Sequence, residues 1–300
     1  MSNGAQALNA ALMATAQAIE ERLAVLLPQP AGPEARLLEA MRYACLGGGK
    51  RLRPLLVLAS AQLFGVSREA ALQVGAAIEM VHCYSLVHDD LPCMDDDDMR
   101  RGRPTTHKAY DEATALLAGN SLLTRAFEIL TDEAVHADHR VRLELVRQLA
   151  HASGAAGMMA GQAIDIYAPE QDSNDLGAIT RLQQLKTGAL ISFATESGGI
   201  LGKASPSQRQ ALRGYAHDLG LAFQIADDLL DVDGDPEAMG KAARKDADAG
   251  KATFVSLLGV ERARQQAQML VDQAIRHLKE FGDSGDLLRA IAHFVVNRDH

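Results

Sequence analysis

Residues 89–98 read DDLPCMDDDD, six carboxylates within ten positions. Like charges this dense need water, cations or basic partners, and an isolated acidic run is ordinarily a solvated loop. The preceding residues argue for more. Ile78, Val81, Leu86 and Val87 suggest a buried helix leading straight into the acids, with Pro92 distorting or ending it. A second cluster stands at Asp227-Asp228-Leu229-Leu230-Asp231. With Gln224, its acids follow i, i+3, i+4, i+7 and share one helix face. Their neighbours Leu221, Phe223, Ile225, Ala226, Leu229 and Leu230 are apolar. Acids on a largely buried helix are costly without compensation, which divalent cations supply. Oxygen-only ligands favour Mg²⁺, with Mn²⁺ as the alternative, and Mg²⁺ fills its octahedron with waters and substrate phosphates. A calcium-binding loop is disfavoured because neither cluster has spaced EF-hand ligands around a central glycine. Two solvated acidic faces remain the bland alternative.

The basic residues are grouped as well. Gly47-Gly48-Gly49-Lys50-Arg51-Leu52-Arg53-Pro54 sets three cations after a glycine turn, without the second glycine, Lys and Ser/Thr of a P-loop. Arg100, Arg101 and Arg103 follow the first acidic cluster, Lys186-Thr187 lies on an expected helix, and Lys241 and Lys251 lie beyond the second cluster. Any one of these is ordinarily a solvated surface cation. Together they ask for an anion bridged to the carboxylates by metal, and a diphosphate meets that demand. His82, seven residues before Asp89, lies on nearly the same helix face.

Helices must position these groups. Of the 300 residues, 47% are hydrophobic but only 4% aromatic, Trp is absent, and Ala and Leu abound. That composition suits close-packed helices better than sheets. Helical periodicity runs from Leu8, Leu12, Ile19, Leu23 and Leu26 onward, through segments near 55–64, 70–91, 114–135, 141–159, 175–198, 206–231, 254–281 and 286–296. Ser205-Pro206-Ser207-Gln208 combines an N-cap, a first-turn proline and a capping-box glutamine. No alternating strand pattern, internal repeat or linker is evident, so the expectation is one all-α domain over residues 1–300. A net charge of −9 disfavours nucleic-acid binding. The odd cysteine count (Cys45, Cys83, Cys93) without Cys-x-x-Cys spacing fits a reducing compartment. No signal peptide is evident, and no stretch approaches the roughly 18 apolar residues of a membrane span. A cytoplasmic protein is expected.

These motifs resemble those of the trans-prenyl (polyprenyl) diphosphate synthases, most closely the bacterial farnesyl diphosphate synthases. The resemblance rests on GGGKRLRP from Gly47, DDLPCMD from Asp89 followed by Arg100-Arg101-Gly102, Lys186-Thr187-Gly188, and FQIADDLLD from Phe223, and it covers nearly the whole chain. It implies the helical isoprenoid synthase fold around a deep central cavity, with the two aspartate motifs on opposing walls. It also implies Mg²⁺-dependent condensation of isopentenyl diphosphate with dimethylallyl and geranyl diphosphates, by ionisation, condensation and elimination, in a homodimer. Asp89 and Asp95 then bind two Mg²⁺ ions and Asp227 a third, supported by Asp90, Asp228 and Asp231. Arg100, Lys186, Lys241 and Lys251 hold the allylic diphosphate, while Lys50, Arg53, His82 and Arg101 hold isopentenyl diphosphate. Thr187, Gln224 and the Lys186 carbonyl stabilise the allylic cation. Tyr84 and Ser85, with the Pro92-Cys93 insertion, resemble the floor that stops the chain at fifteen carbons. A geranylgeranyl diphosphate synthase is the alternative, and a terpene cyclase or a catalytically silent partner subunit are the rivals from other classes. Two positions depart from the family pattern: Arg244 stands where glycine is common, and Val255 where proline is common.

Overall fold

In the computed structural model, residues 3–167, 175–233 and 252–297 are described. Their helices run in the order α1 (Asn3–Leu26), α2 (Ala35–Cys45), α3 (Leu52–Gln62), α4 (Arg68–Asp89), α5 (Thr106–Ala109), α6 (Glu112–Thr131), α7 (His139–Ser153), α8 (Met158–Tyr167) and α9 (Leu176–Gln183). A π turn (Gln184–Gly188) leads into α10 (Ala189–Leu201). Then come α11 (Pro206–Asp233), α12 (Phe254–Leu258), α13 (Val260–His277), a 3₁₀ segment (Leu278–Gly285) and α14 (Asp286–Asn297). The all-α expectation holds.

The chain divides into two compact units, one of residues up to Arg147 with Ile200–Gly202, the other of Gln148–Gly199 with the residues from Lys203 on. In the first, α4 is the organising element. Ser67 caps it by accepting from Ala70 N. Val74, Ala76, Ala77, Ile78, Met80 and Val81 are fully buried, because α1, α2, α3 and α6 pack around the helix. A helix apolar on all sides belongs in a core. By length and composition alone α4 would also pass for a membrane span, contrary to the sequence expectation, but 89% of its most apolar window is buried inside the protein.

In the second unit the Ser205 capping box forms as expected: Ser205 N donates to Gln208 Oε1 (3.0 Å) and Gln208 N to Ser205 Oγ (3.2 Å). The helix it starts, α11, buries Leu212, Tyr215, Ala216, Leu219, Ala222 and Ile225, and packs chiefly on α13. Tyr215 ties it to α14 by donating to Leu288 O at 2.7 Å.

Four local features differ from the periodicity reading. The helix expected over 141–159 stops at Ser153 and restarts at Met158, across Gly154 and Gly157. The one expected over 254–281 breaks at Gly259, whose φ is +77°, and ends in 3₁₀ geometry. The Lys186-Thr187 segment is helical but of π type. Residues Met99–Arg100 and Arg103–Pro104 pair as a two-residue antiparallel ladder, too short to leave an alternating pattern.

Candidate active site

Asp89 is the last residue of α4, and the chain turns back on it. Asp95 N donates to Asp89 O (2.8 Å), and Met94 N and Asp96 N both donate to Leu91 O (2.9 and 3.2 Å). The turn therefore returns Asp95 to Asp89 across Pro92-Cys93. Asp95 is exposed and Asp89 half-buried. Asp90 has a different job. It is 2% exposed and clasped by Arg100, whose Nε lies 2.8 Å from both carboxylate oxygens and whose Nη2 lies 2.5 Å from Oδ1. Asp98 pairs with Lys108 at 2.8 Å. Arg100, expected to meet a diphosphate, is thus anchored beside the acidic turn by its fork-like bond to Asp90.

The glycine turn before α3 sorts its three cations. Gly48, Gly49 and Arg51 all have positive φ (+78°, +124° and +49°). This twist sends Arg51 inward, where it bonds Glu79 (2.6 Å), Glu20 (2.7 Å) and Cys45 O (2.5 Å) and is 3% exposed. Lys50 stays exposed and Arg53 half-buried. Arg101 reaches back to this turn and donates to Gly48 O at 2.5 Å. His82 sits among these charges. Burial, then the positive fields of Arg53, Arg101 and Arg100, push its pKa well below the usual imidazole value. The expected residues Arg53, His82 and Arg101 therefore converge, next to the turn that carries Asp89 and Asp95.

A solvent-connected pocket opens here, lined in part by Arg100, Arg101 and Cys83. Tyr43 and Arg103 also line it; Arg103 belongs to the basic run that the sequence sets against an anion, whereas Tyr43 carries no expected role. The Arg103 guanidinium stacks 4.0 Å above the Tyr43 ring, and Tyr43 Oη donates to Pro104 O at 2.8 Å. The basic run at residues 100–103 hinted at Arg103, whereas its aromatic partner is distant in sequence. Below His82, Ser85 Oγ donates to His82 O at 2.9 Å. Tyr84 is 7% exposed and meets the His88 ring edge-on at 4.9 Å.

In the second unit, Lys186 and Thr187 ride on the π turn. Lys186 Nζ donates to Asp165 Oδ2 at 2.6 Å. Thr187 Oγ1 donates to Gln224 Oε1 (3.4 Å), Gln224 Nε2 to Asp228 Oδ1 (3.0 Å), and Phe254 N to Asp228 Oδ2 (2.8 Å). The aspartates of α11 are thereby divided. Asp228 is 4% exposed and bonded through both oxygens, while Asp227 and Asp231 remain partly open. A side chain at Gly161 is excluded, since a Cβ there would lie 2.2 Å from Lys186 N. Asp165 and Gly161 had no expected role, although their i, i+4 spacing on α8 was a usable signal. Val255 is buried in the first turn of α12, which Thr253 starts with a capping box. Lys241, Arg244 and Lys251 lie outside the described residues.

Among the described residues, no three His, Cys, Asp or Glu side chains form a ready-made ligand group. The donors available at Asp89, Asp95 and Asp227 are carboxylate oxygens alone. That set suits Mg²⁺, which takes one or two protein carboxylates and completes its shell from water and phosphate.

The family model for polyprenyl synthetase matches residues 34–294. The chain belongs to the polyprenyl synthetase family. Among its relatives in that family, the farnesyl diphosphate synthase of Geobacillus stearothermophilus is 42% identical over 287 residues, 95% of either chain. That of Escherichia coli is 45% identical over 270 residues, covering 88% of this chain and 89% of the relative. The solved apo structure of an FPP/GFPP synthase from Zymomonas mobilis has a TM-score of 0.89 and 56% identity, covering 97% of this chain and 99% of that one. The fold is accordingly the all-α isoprenoid synthase fold, and the family is generally Mg²⁺-dependent.

Proposed function

We propose that this polyprenyl synthetase is a farnesyl diphosphate synthase, joining isopentenyl diphosphate first to dimethylallyl and then to geranyl diphosphate. The observation that carries the reading is the gathering of Arg53, Arg101 and Arg100 around His82, beside the Asp89–Asp95 hydrogen-bonded turn. A terpene cyclase has no use for a second diphosphate site, so this cation group favours condensation. The relatives named farnesyl diphosphate synthase support the fifteen-carbon product, with geranylgeranyl diphosphate as the alternative. One family match running through both units supports residues 1–300 as a single domain. We read the enzyme as a cytoplasmic homodimer.

In this reading Asp89, Asp95 and Asp227 hold Mg²⁺, three ions in all once the allylic diphosphate is bound. Bound Mg²⁺ supplies Lewis-acid neutralisation of the diphosphate. Arg100, Lys186, Lys241 and Lys251 bind the allylic diphosphate, and fixed cations of this kind stabilise charge as it develops on a leaving group. Lys50, Arg53, His82 and Arg101 bind isopentenyl diphosphate and orient its double bond toward the allylic carbon. Thr187 and Gln224, held to each other at 3.4 Å, offer oxygen dipoles to the allylic cation, together with the Lys186 carbonyl. The final proton passes to the released diphosphate, so the neutral His82 acts as a binding group and not as a base. Tyr84 and Ser85 close the channel for the growing tail.

The test is incubation of the purified protein with Mg²⁺, labelled isopentenyl diphosphate and dimethylallyl diphosphate, followed by dephosphorylation and chromatography. Farnesol as the main labelled alcohol supports the assignment. Geranylgeraniol selects the longer-product alternative, and no incorporation with either dimethylallyl or geranyl diphosphate overturns the reading.

A further inference from the structure

Gln184 opens the π turn and bonds sideways out of it. Its Nε2 lies 2.7 Å from His217 Nε2. His217 Nδ1 lies 3.1 Å from Asp218 Oδ1, and the other carboxylate oxygen, Oδ2, lies 3.2 Å from His277 Nε2. Three elements therefore meet at one carboxylate: the π turn through His217, α11 through its own residues, and the end of α13 through His277. Asp218 is 8% exposed, and a buried carboxylate is tolerated when its oxygens are bonded. The helix surface is shaped for this seat, because a Cβ at Gly214 would stand 2.6 Å from the His277 ring.

A π turn has poorer intrinsic geometry than the α-helices on either side, so it persists where surrounding contacts hold it. Gly161 and Asp165 hold the Lys186 side of the turn, and the Gln184 bond holds its first residue. We propose that Asp218, acting through His217 and Gln184, is a positioning residue that fixes the π turn presenting Lys186 and Thr187 to the allylic diphosphate. The proposal rests on the functional reading above, and Asp218 itself touches no substrate.

The hydrogen atoms fit one consistent arrangement. The Gln184 amide donates to Nε2 of a neutral His217, whose Nδ1–H then donates to Asp218, while His277 donates Nε2–H to the second oxygen. The Asp218 bond also raises the His217 pKa. Protonation of that ring preserves the chain, because the Gln184 amide turns its oxygen to the new N–H. Asparagine at position 218 preserves it too. Its oxygen accepts from His217, and its N–H donates to His277 in the other tautomer. Alanine preserves neither bond.

The experiment measures steady-state kinetics, per folded enzyme, for wild type, Asp218→Ala, Asp218→Asn and Gln184→Leu with varied allylic and isopentenyl diphosphates. Asp218→Ala is expected to lower kcat about 5- to 20-fold, with the KM for isopentenyl diphosphate within about twofold of wild type. Asp218→Asn should stay within about threefold of wild type, and Gln184→Leu should reproduce the alanine effect from the other end of the chain. The Gln184 variant also serves if Asp218→Ala does not fold. The proposal is overturned if Asp218→Ala loses thermal stability yet keeps kcat, if Ala and Asn are equally impaired, or if the isopentenyl KM rises in step. If wild type forms no labelled product, the functional reading fails instead. Hydrogen exchange then decides the network: faster exchange of the π-turn amides in Asp218→Ala supports it, and unchanged exchange overturns it.

Discussion

At the scale of single residues, burial and the neighbouring arginines tie stability to the protonation of His82. The folded protein resists protonating this ring because of burial and the charges of Arg53, Arg101 and Arg100. The unfolded chain protonates it near the ordinary value of 6.5. Above that value both states carry a neutral ring and stability is unaffected. As pH falls below it, the unfolded state binds the extra proton and stability drops, by up to about 1.4 kcal/mol per pH unit for one such group. His88 is shifted downward as well, chiefly by burial, and contributes the same sign. Thermal unfolding without diphosphate should therefore weaken from pH 7 to pH 5 more steeply in wild type than in His82→Asn, and parallel profiles would remove His82 from this account. Tyr84 offers a second residue-level test. Its ring is nearly buried against His88, so Tyr84→Ala removes bulk from the assigned floor. Products longer than those of wild type are expected in a chain-length assay, and an unchanged distribution rejects Tyr84 as the floor.

At the scale of elements, the approach of α8 to the π turn is a tight backbone constraint beside the assigned chemistry. Gly161→Ala places a methyl 2.2 Å from Lys186 N and 2.5 Å from its Cα. Backbone atoms cannot rotate away, so α8 and the turn must separate, at about 1–3 kcal/mol for overpacking of this kind. The expected result is a melting temperature lower by several degrees and turnover lower by about tenfold or more. Wild-type values for both would show that the contact relaxes freely. This contact also marks where sequence reading stops. Amphipathic and buried helices such as α4 and α11 are legible because their apolar spacing is set by burial, and the Ser205 cap because its donors are local. The π turn leaves no comparable trace, since Gln184–Gly188 differs from an α-helical turn by its hydrogen-bond register, which residue types do not specify. Within GGGKRLRP, charge alone does not separate Lys50 and Arg53 from Arg51, which the positive φ directs inward to Glu79. Asp90 and Asp228 are likewise indistinguishable from their neighbours by spacing, because Arg100 and Phe254, which engage them, lie 10 and 26 residues away in sequence. Asp165 and Tyr43 leave no local pattern because their partners are remote in sequence.

At the scale of the molecule, the two aspartate motifs belong to different compact units, Asp89 and Asp95 to one and Asp227 to the other. If both motifs serve one diphosphate, as proposed, their contributions to turnover must be coupled, since either loss disables the same ionisation. A double-mutant cycle reads this coupling without reference to distance. Asp89→Ala and Asp227→Ala should each lower kcat by about 10²-fold or more at saturating Mg²⁺, with helicity by circular dichroism unchanged. Asp228, not Asp227, makes the bonds to Gln224 and Phe254 described above, so Asp227→Ala leaves that structural chain in place. The double variant should fall little below the weaker single variant, because groups acting as a unit show strongly non-additive losses. Losses that multiply would assign the motifs to separate steps, and near-normal turnover in Asp227→Ala would take the second motif out of the chemistry.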